Sequence, residues 1–164
     1  MLNRSKYLNP KKKKIKFMFN EISKFYDIMN FIMTLGADKL WRKKIVKKLD
    51  NIKNGKILDI ATGTGDLAIE IKKKCSNKIY GIDISEKMIE IANKKIRKLG
   101  FKNIKLFVGD SQKIPFQNNF FDAVTISFGV RNFENLNKCL LEIKRVLKKN
   151  GKLIILETSV PKSN

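Results

Sequence analysis

The sequence contains no histidine, and it has two cysteines and one tryptophan among its 164 residues. Histidine is the side chain that most often acts as a general base near neutral pH. Any base that the chain itself supplies must therefore be a carboxylate, a tyrosine, an unusual arginine or an ordered water. Cys75 and Cys139 stand far apart and form no metal-ligand spacing, so we expect no metal site.

Long apolar runs are also missing. No stretch approaches the roughly 18 to 20 uncharged apolar residues that cross a bilayer, and the first residues lack the apolar core of a secretion signal. We therefore expect a cytoplasmic protein whose cysteines are reduced thiols. Hydrophobic residues make up 43% of the chain, which is typical of a globular protein with one buried core.

Acidic residues are scarce, because 15 of them stand against 36 basic residues and leave a formal net charge of +21. Such a surface fits a nucleic acid or an anionic membrane, but it also follows from a genome rich in A and T, whose codons favour Lys, Asn and Ile. Only five basic residues are arginines, the usual readers of bases. We favour solvated, lysine-rich helix faces over a nucleic-acid partner.

Helical periodicity dominates residues 1–50, which we interpret as an N-terminal helical arm that covers the substrate. A polar, lysine-rich stretch at 1–14 leads into apolar repeats at 15–26 and 28–35, and Gly36 separates these from a third helix at 37–49. Core packing is expected at most apolar positions of this arm. The alternative is that they cover a hydrophobic ligand or lie against a membrane.

The most informative pattern lies at residues 56–66. An apolar, β-branched run meets Gly63 and Gly65 before a helical pattern begins at Asp66. A strand, a tight turn and a helix N-terminus in this order let a ligand rest on backbone N–H groups, and glycine has no Cβ to block its approach. The form Gly63-x-Gly65-x-x-Ala68 also fits dinucleotide binders.

Two carboxylates help to decide between a dinucleotide and another ligand. Asp59 precedes the turn and Asp66 follows it. A pyrophosphate would lie between two acids and be repelled. S-Adenosylmethionine (AdoMet) carries a sulfonium and an ammonium that acids attract, while the helix N-terminus favours its carboxylate. We therefore expect AdoMet as the cofactor, held by Asp59, Gly63 and Gly65. The alternative is that both acids only cap a loop and a helix.

Strands alternate with helices from residue 56 onward. This order predicts an α/β fold with a doubly wound, mostly parallel Rossmann-like sheet in an AdoMet-binding domain at 51–164. After the strand that leads into the glycine turn, we expect further strands at 78–83, 104–108, 121–127 and 152–157, and helices at 66–74, from Ser85 to Gly100, and at 136–147. Ligands bind at the carboxyl ends of such strands.

Polar residues concentrate at these strand ends. Asp83 ends the second strand, where an acid accepts hydrogen bonds from both ribose hydroxyls of an adenosine. Asp110 follows the third strand and is placed to receive the adenine amino group, with the Ser111 N–H on a ring nitrogen and Ile84 and Met88 flanking the ring. Helix capping by Asp83, an Asx turn at Asp110 and core packing of Met88 are the alternatives.

Several segments carry a family resemblance. Asp-Ile-Ala-Thr-Gly-Thr-Gly-Asp at 59–66 resembles motif I of class I AdoMet-dependent methyltransferases. Other segments resemble the C-methyltransferases of menaquinone and ubiquinone biosynthesis. These segments are Ile-Pro-Phe-Gln-Asn-Asn-Phe-Phe-Asp at 114–122, Thr-Ile-Ser-Phe-Gly-Val-Arg-Asn at 125–132, Leu-Glu-Thr-Ser at 156–159, and those at 19–30 and 41–44. The similarity covers nearly all of residues 15–161.

The resemblance implies an AdoMet-dependent C-methyltransferase that acts on demethylmenaquinol or the analogous polyprenyl benzoquinol. The residues that it implies in contact with AdoMet are Thr64, Asp83, Asp110, Ser111 and Ser127, and those that face the quinol are Arg131, Asn132 and Tyr26. Arg131 would stabilise the developing phenolate or pass its proton on through water. A structural salt bridge is the alternative for Arg131.

Partners follow from the same resemblance. A lipid-tailed acceptor fits the apolar N-terminal helices, so we expect peripheral contact with the inner face of the membrane. The family continues past the fifth strand through a helix and two more strands, whereas this sequence ends at Asn164. We therefore expect an open sheet edge. Either the chain is a truncated or split product, or a homodimer or complex partner covers this edge. An RNA methyltransferase and a non-catalytic AdoMet-fold subunit remain alternatives.

Overall fold

A computed structural model describes residues 10–75 and 77–158. Most of the polar stretch at 1–14 and the tail past residue 158 therefore lie outside the described residues. Within these ranges the helices are α1 (Pro10–Ile22), α2 (Tyr26–Thr34), α3 (Ala37–Lys48), α4 (Asp66–Lys74), α5 (Glu86–Lys98) and α6 (Leu136–Val146). The strands are β1 (Lys56–Ile60), β2 (Lys78–Asp83), β3 (Ile104–Val108), β4 (Phe121–Ser127) and β5 (Leu147–Leu156).

The five strands form one parallel sheet in the order β3-β2-β1-β4-β5. The chain builds outward from β1 to β3 on one side and then returns to add β4 and β5 on the other. The point between β1 and β4 where the direction reverses opens a crevice at the carboxyl ends of the strands. The predicted doubly wound α/β sheet is confirmed, and the predicted ranges of β2, β3, β4 and α4 are correct.

Both faces of the sheet are covered, which explains why the central strands are almost continuously apolar. On one face Ile57 and Ile79 pack with residues of α3 and α4, including Val46 and Ile71. On the other face Leu58 and its neighbours pack against α6 and against a group of aromatic rings. Tyr80, Phe116, Phe120 and Phe121 lie in that group, with ring centroids 4.9 to 5.8 Å apart.

The start of the fifth strand differs from the prediction. We expected helix to Leu147 and a strand from residue 152, but β5 already begins at Leu147. The pairing of β4 with β5 is irregular between Phe121 and Ala123, where Leu147 pairs with the first and Lys152 with the second. A bulge of this kind keeps extra residues inside a strand, so the Asn-Gly pair that resembles a turn lies within β5.

The N-terminal helices also depart from expectation. Core packing is correct for the end of α3, where Ile45 and Val46 are buried, as is the neighbouring Leu49. It is wrong for α2, which has no buried residue and exposes most of its large apolar side chains. The reason is that α2 turns its polar side chains towards the sheet, which the apolar repeat alone does not reveal.

Gly65 offers a stability test with a matched control. Its φ is +81°, and an added Cβ would lie 3.0 Å from the Ala92 Cβ on α5. Gly100 has a similar φ of +70° but open space around it. Both Gly→Ala changes should cost about 1 kcal/mol for the left-handed backbone, and Gly65→Ala should cost about 1 to 3 kcal/mol more through overpacking. Chemical denaturation of both variants checks this, and equal losses would contradict the packing role of Gly65.

Candidate active site

A crevice opens where β1, β2, β3 and β4 end, and it encloses about 710 Å³ of space including its mouth. Its walls come from the turn after β1, the end of β2, the loop after β3, the end of β4 and the N-terminal helices. Among the lining residues are Tyr26, Gly63, Asp83, Ile84, Met88, Asp110, Ser111, Ser127 and Asn132.

Asp83 ties two strand ends together beside this crevice. One carboxylate oxygen accepts the Gly63 N–H at 2.8 Å, and the other accepts the Ser85 N–H at 2.9 Å. Burial raises the pKa of Asp83, and these backbone N–H groups oppose the rise. A carboxylate has about four acceptor positions, so it retains the capacity to accept hydroxyl groups of a ligand.

The two glycines of the turn do different work. Gly63 has a φ of +55° and lines the crevice, where a Cβ would project towards the Tyr26 ring. Gly65 is not among the residues that line the crevice or the smaller cavity beside it. It begins α4 and lets α5 approach closely, so the structure places it in helix packing. The sequence pattern could not separate these two uses.

Asp110 lies in the loop after β3 and lines the crevice. Its carboxylate already has hydrogen-bond partners. One oxygen accepts the Gln112 N–H at 2.9 Å, and the other accepts the Lys12 ammonium at 2.6 Å. Lys12 also lies 3.3 Å from the Glu134 carboxylate. Ser111 also lines the crevice, with its hydroxyl 3.1 Å from the Cys139 sulfur. Sequence reasoning missed Lys12 and Glu134, because nothing local links a lysine in α1 to acids about 100 residues later.

A smaller cavity adjoins the crevice and shares Tyr26, Gly63 and Ser127 with it. Asp59 lines this cavity, and its buried carboxylate accepts the hydroxyls of Thr62 at 2.7 Å and Thr125 at 2.8 Å. Burial raises the pKa of Asp59 to about 6 although both hydroxyls lower it. Asp59 is therefore a buried acid behind the turn, and each of its oxygens accepts one hydroxyl.

Ion pairs fasten the N-terminal helices to the glycine turn. Asp66 at the start of α4 pairs with Arg42 and with Lys95, each at 2.7 Å. Lys95 also pairs with Asp27 at 2.5 Å, and the Asp27 carboxylate accepts the Thr64 hydroxyl at 2.5 Å. The predicted cofactor residue Thr64 is thus buried and bonded to α2. Only the position of Asp66 after the turn signalled any part of this network.

The three residues expected to face the acceptor are not equally placed. Tyr26 and Asn132 line the crevice. Arg131 lies in a short 3-10 turn (Val130–Asn132), is largely exposed, and contacts Glu157 at 3.4 Å and the Thr158 hydroxyl at 3.2 Å. It lines neither cavity. Burial raises the pKa of the Tyr26 phenol, and the charge of Arg131 opposes only part of this rise, so the phenol stays protonated at neutral pH.

The charge around the two cavities is opposite to that of the chain. Among the described residues, five of the 15 acidic side chains line them, against two basic ones. The carboxylates are Asp59, Asp66, Asp83, Asp110 and Glu134. Repulsion from such a group disfavours a pyrophosphate in the turn, whereas it stabilises a ligand that carries positive charge. The polar groups therefore fit AdoMet and do not fit a dinucleotide.

The strand order is that of a doubly wound α/β sheet, and together with the acidic crevice it agrees with the class I AdoMet-dependent methyltransferases. A model of the ubiE/COQ5 methyltransferase family matches residues 7–164. The chain belongs to this family, which confirms the resemblance found in the sequence.

Two curated relatives and one solved structure illustrate the similarity. The demethylmenaquinone methyltransferase of Thermotoga maritima is 42% identical over 88% of this chain and 61% of its own. The ubiquinone/menaquinone biosynthesis C-methyltransferase UbiE of Citrifermentans bemidjiense is 44% identical over 94% of this chain and 67% of its own. The chain thus spans about two thirds of these relatives. The crystal structure of a SAM-dependent methyltransferase from Aquifex aeolicus has a TM-score of 0.67 and 28% identity, covering 75% of this chain and 68% of that one.

Asp59 generates a pH-dependence test. Its folded-state pKa of about 6 lies above the value of 3.8 in an unfolded chain, so the folded state holds the proton more tightly. The resulting stabilisation is present below pH 4 and is lost as the pH rises through about 6, which amounts to about 2 to 3 kcal/mol. Asp59→Asn should remove this share of the pH dependence.

Urea denaturation at several values between pH 4 and pH 7.5 measures the effect. Asp50→Asn, a change at an exposed acid, is the matched control and should leave the profile of the unfolding free energy unchanged. If Asp59→Asn follows the same profile as the unaltered chain, the buried carboxylate does not titrate as described.

Proposed function

We propose that this chain acts as an AdoMet-dependent C-methyltransferase of quinone biosynthesis, which transfers a methyl group to demethylmenaquinol or to the analogous polyprenyl benzoquinol. The observation that carries the proposal is the acidic crevice at the switch point of the sheet, where Asp83 and Asp110 follow the ends of the neighbouring strands β2 and β3. The names of the relatives support the acceptor class.

In this proposal Asp83 accepts the ribose hydroxyls with the acceptor positions that the backbone leaves open. The loop after β3 holds the adenine, with Asp110 and the Ser111 N–H along its edge and Ile84 and Met88 against its faces. All of these residues line the crevice. Gly63 and Ser127 line both cavities, and in this proposal the methionine portion of the donor lies between them.

The donor supplies an activated methyl group, whose bond to sulfur breaks as the bond to the ring carbon forms, leaving a neutral thioether. This chain must position the ring and favour the loss of a hydroxyl proton from the quinol to water. After the transfer the methylated ring carbon gives up its hydrogen as a proton to water, and the ring oxygen takes up a proton, which restores the aromatic quinol. The Tyr26 phenol, protonated at neutral pH, donates a hydrogen bond to the ring oxygen. Arg131 stabilises the phenolate by its charge, and Asn132 positions the ring from the crevice wall.

The N-terminal arm, residues 1–50, forms the cover over the acceptor in this proposal. A polyprenyl tail belongs in a lipid phase, so the protein works as a peripheral protein at the inner face of the membrane. A homodimer or complex partner covers the edge of the sheet at β5.

Donor binding tests the role of Asp83. Asp83→Ala should weaken AdoMet binding by at least tenfold, because the ribose hydroxyls lose their acceptor in a buried site. Glu90→Ala, a change at an exposed acid on α5, is the control and should bind as tightly as the unaltered chain. Isothermal titration calorimetry measures both. Tight binding of a nicotinamide dinucleotide with no heat from AdoMet would overturn the proposal.

Methyl transfer tests the role of Arg131. With labelled AdoMet and reduced demethylmenaquinone, Arg131→Ala should lower turnover by about 10- to 100-fold through lost phenolate stabilisation and leave donor binding unchanged. Arg97→Ala, a change at an exposed arginine on α5, is the control.

A further variant separates charge from structure. Glu157→Gln breaks the ion pair with Arg131 but keeps the guanidinium, so turnover should stay near that of the unaltered chain. If it falls as far as in Arg131→Ala, Arg131 acts only through the ion pair. Donor binding without any methyl incorporation would favour the non-catalytic alternative.

A further inference from the structure

Helix α2 is amphipathic in the reverse sense. Its polar side chains point to the protein: Tyr26 and Asn30 line the smaller cavity, and Asp27 bonds to the Thr64 hydroxyl and to Lys95. At the end of the helix the Thr34 hydroxyl lies 3.1 Å from the Asp38 carboxylate. A surface helix in water normally shows the opposite arrangement, with its apolar side chains towards the core.

The outward side of α2 and its flanks carry seven exposed large apolar residues, which we call the α2 apolar surface: Phe25, Ile28, Met29, Phe31, Ile32, Met33 and Leu35. Exposure reaches 79% at Met33 and 91% at Leu35. Single exposed apolar residues are common on any protein. Seven within eleven consecutive residues form a patch of the kind that marks an interaction with a partner or a membrane.

The charges around this surface favour one kind of partner. Lys24, Lys39, Lys43 and Lys44 are exposed on the flanking segment and on α3, and the Lys39 ammonium lies 5.3 Å from the centre of the Phe31 ring. The acids of α2 and α3 are engaged inside, since Asp27 pairs with Lys95, and Asp38 is buried against Arg42. An apolar surface with lysines along its rim complements anionic lipid headgroups above acyl chains.

Helix α2 is too short to span a bilayer. Helix α2 has nine residues, and no helix in the described part of the chain is long and apolar enough to cross a bilayer. At 1.5 Å per residue α2 is about 14 Å long. It can therefore lie in the plane of the interface with its apolar residues among the upper acyl chains, as interfacial helices do.

We propose that the α2 apolar surface docks the protein on an anionic bilayer. The inward side of the same helix then holds Tyr26 and Asn30 at the cavity wall, so docking brings the cavities to the membrane surface. This second step rests on the proposed function: it allows the ring of a polyprenyl quinol to enter while its tail stays in lipid.

Vesicle sedimentation tests the docking without donor or quinol, so it stands apart from the test of methyl transfer. The unaltered chain should bind vesicles of phosphatidylcholine with 30% phosphatidylglycerol, chosen as an anionic probe. The double variant Met33→Asp with Leu35→Asp should bind at least tenfold more weakly. Leu141→Asp, a change at an exposed leucine on α6, is the matched control and should bind as before.

Charge is tested in the same way. Lys43→Glu with Lys44→Glu should weaken binding severalfold, whereas Lys102→Glu with Lys138→Glu, at exposed sites on other elements, should weaken it less. Circular dichroism verifies that each variant is folded. Equal binding of the α2 double variant and the Leu141 variant would overturn the proposal. So would a loss of self-association in the α2 variant with no change in vesicle binding, because a second copy of the chain would then cover the surface.

Discussion

The site depends on the hydrogen bonds that the buried Asp83 carboxylate accepts. A charge removed from water is costly unless hydrogen bonds replace its hydration, and here the N–H groups of Gly63 and Ser85 do so from two different turns. The bond to Gly63 fixes the glycine turn relative to the end of β2, which sets the floor of the crevice. The raised pKa indicates that this compensation is incomplete. A ligand with hydroxyl groups at this point supplies the missing donors.

The N-terminal helices are attached to this floor by polar contacts. Neither α1 nor α2 has a fully buried residue, and their links to the rest of the chain include the ion pairs of Lys12, Lys16 and Asp27. Elements with few buried apolar contacts open at lower free energy than a core strand. Such an attachment suits a wall that a ligand must pass, because the sheet beneath it stays intact when the wall moves.

Much of the fold and part of the site followed from the sequence. The strands were predictable because parallel strands buried on both faces are short apolar runs, and the rule that such strands place their carboxyl ends together brought Asp83, Asp110 and Ser127 to one crevice. The pairing of Lys12 with Asp110 was not predictable from the sequence, since it joins residues 98 positions apart. Helical periodicity shows which residues share a side of α2, but it does not show which side faces the protein.

The opposite charges of crevice and surface can coexist because of their distances. At physiological ionic strength a charge is screened beyond about 8 Å, so lysines on the outer faces contribute little inside the crevice. Inside the crevice partial burial lowers the effective dielectric constant, so the carboxylates there act at short range even though Asp66 and Asp110 also pair with basic side chains. AdoMet carries one net positive charge, whereas its demethylated product is neutral. The Coulomb attraction of that charge to the crevice is therefore a part of the binding free energy that the donor has and the product lacks.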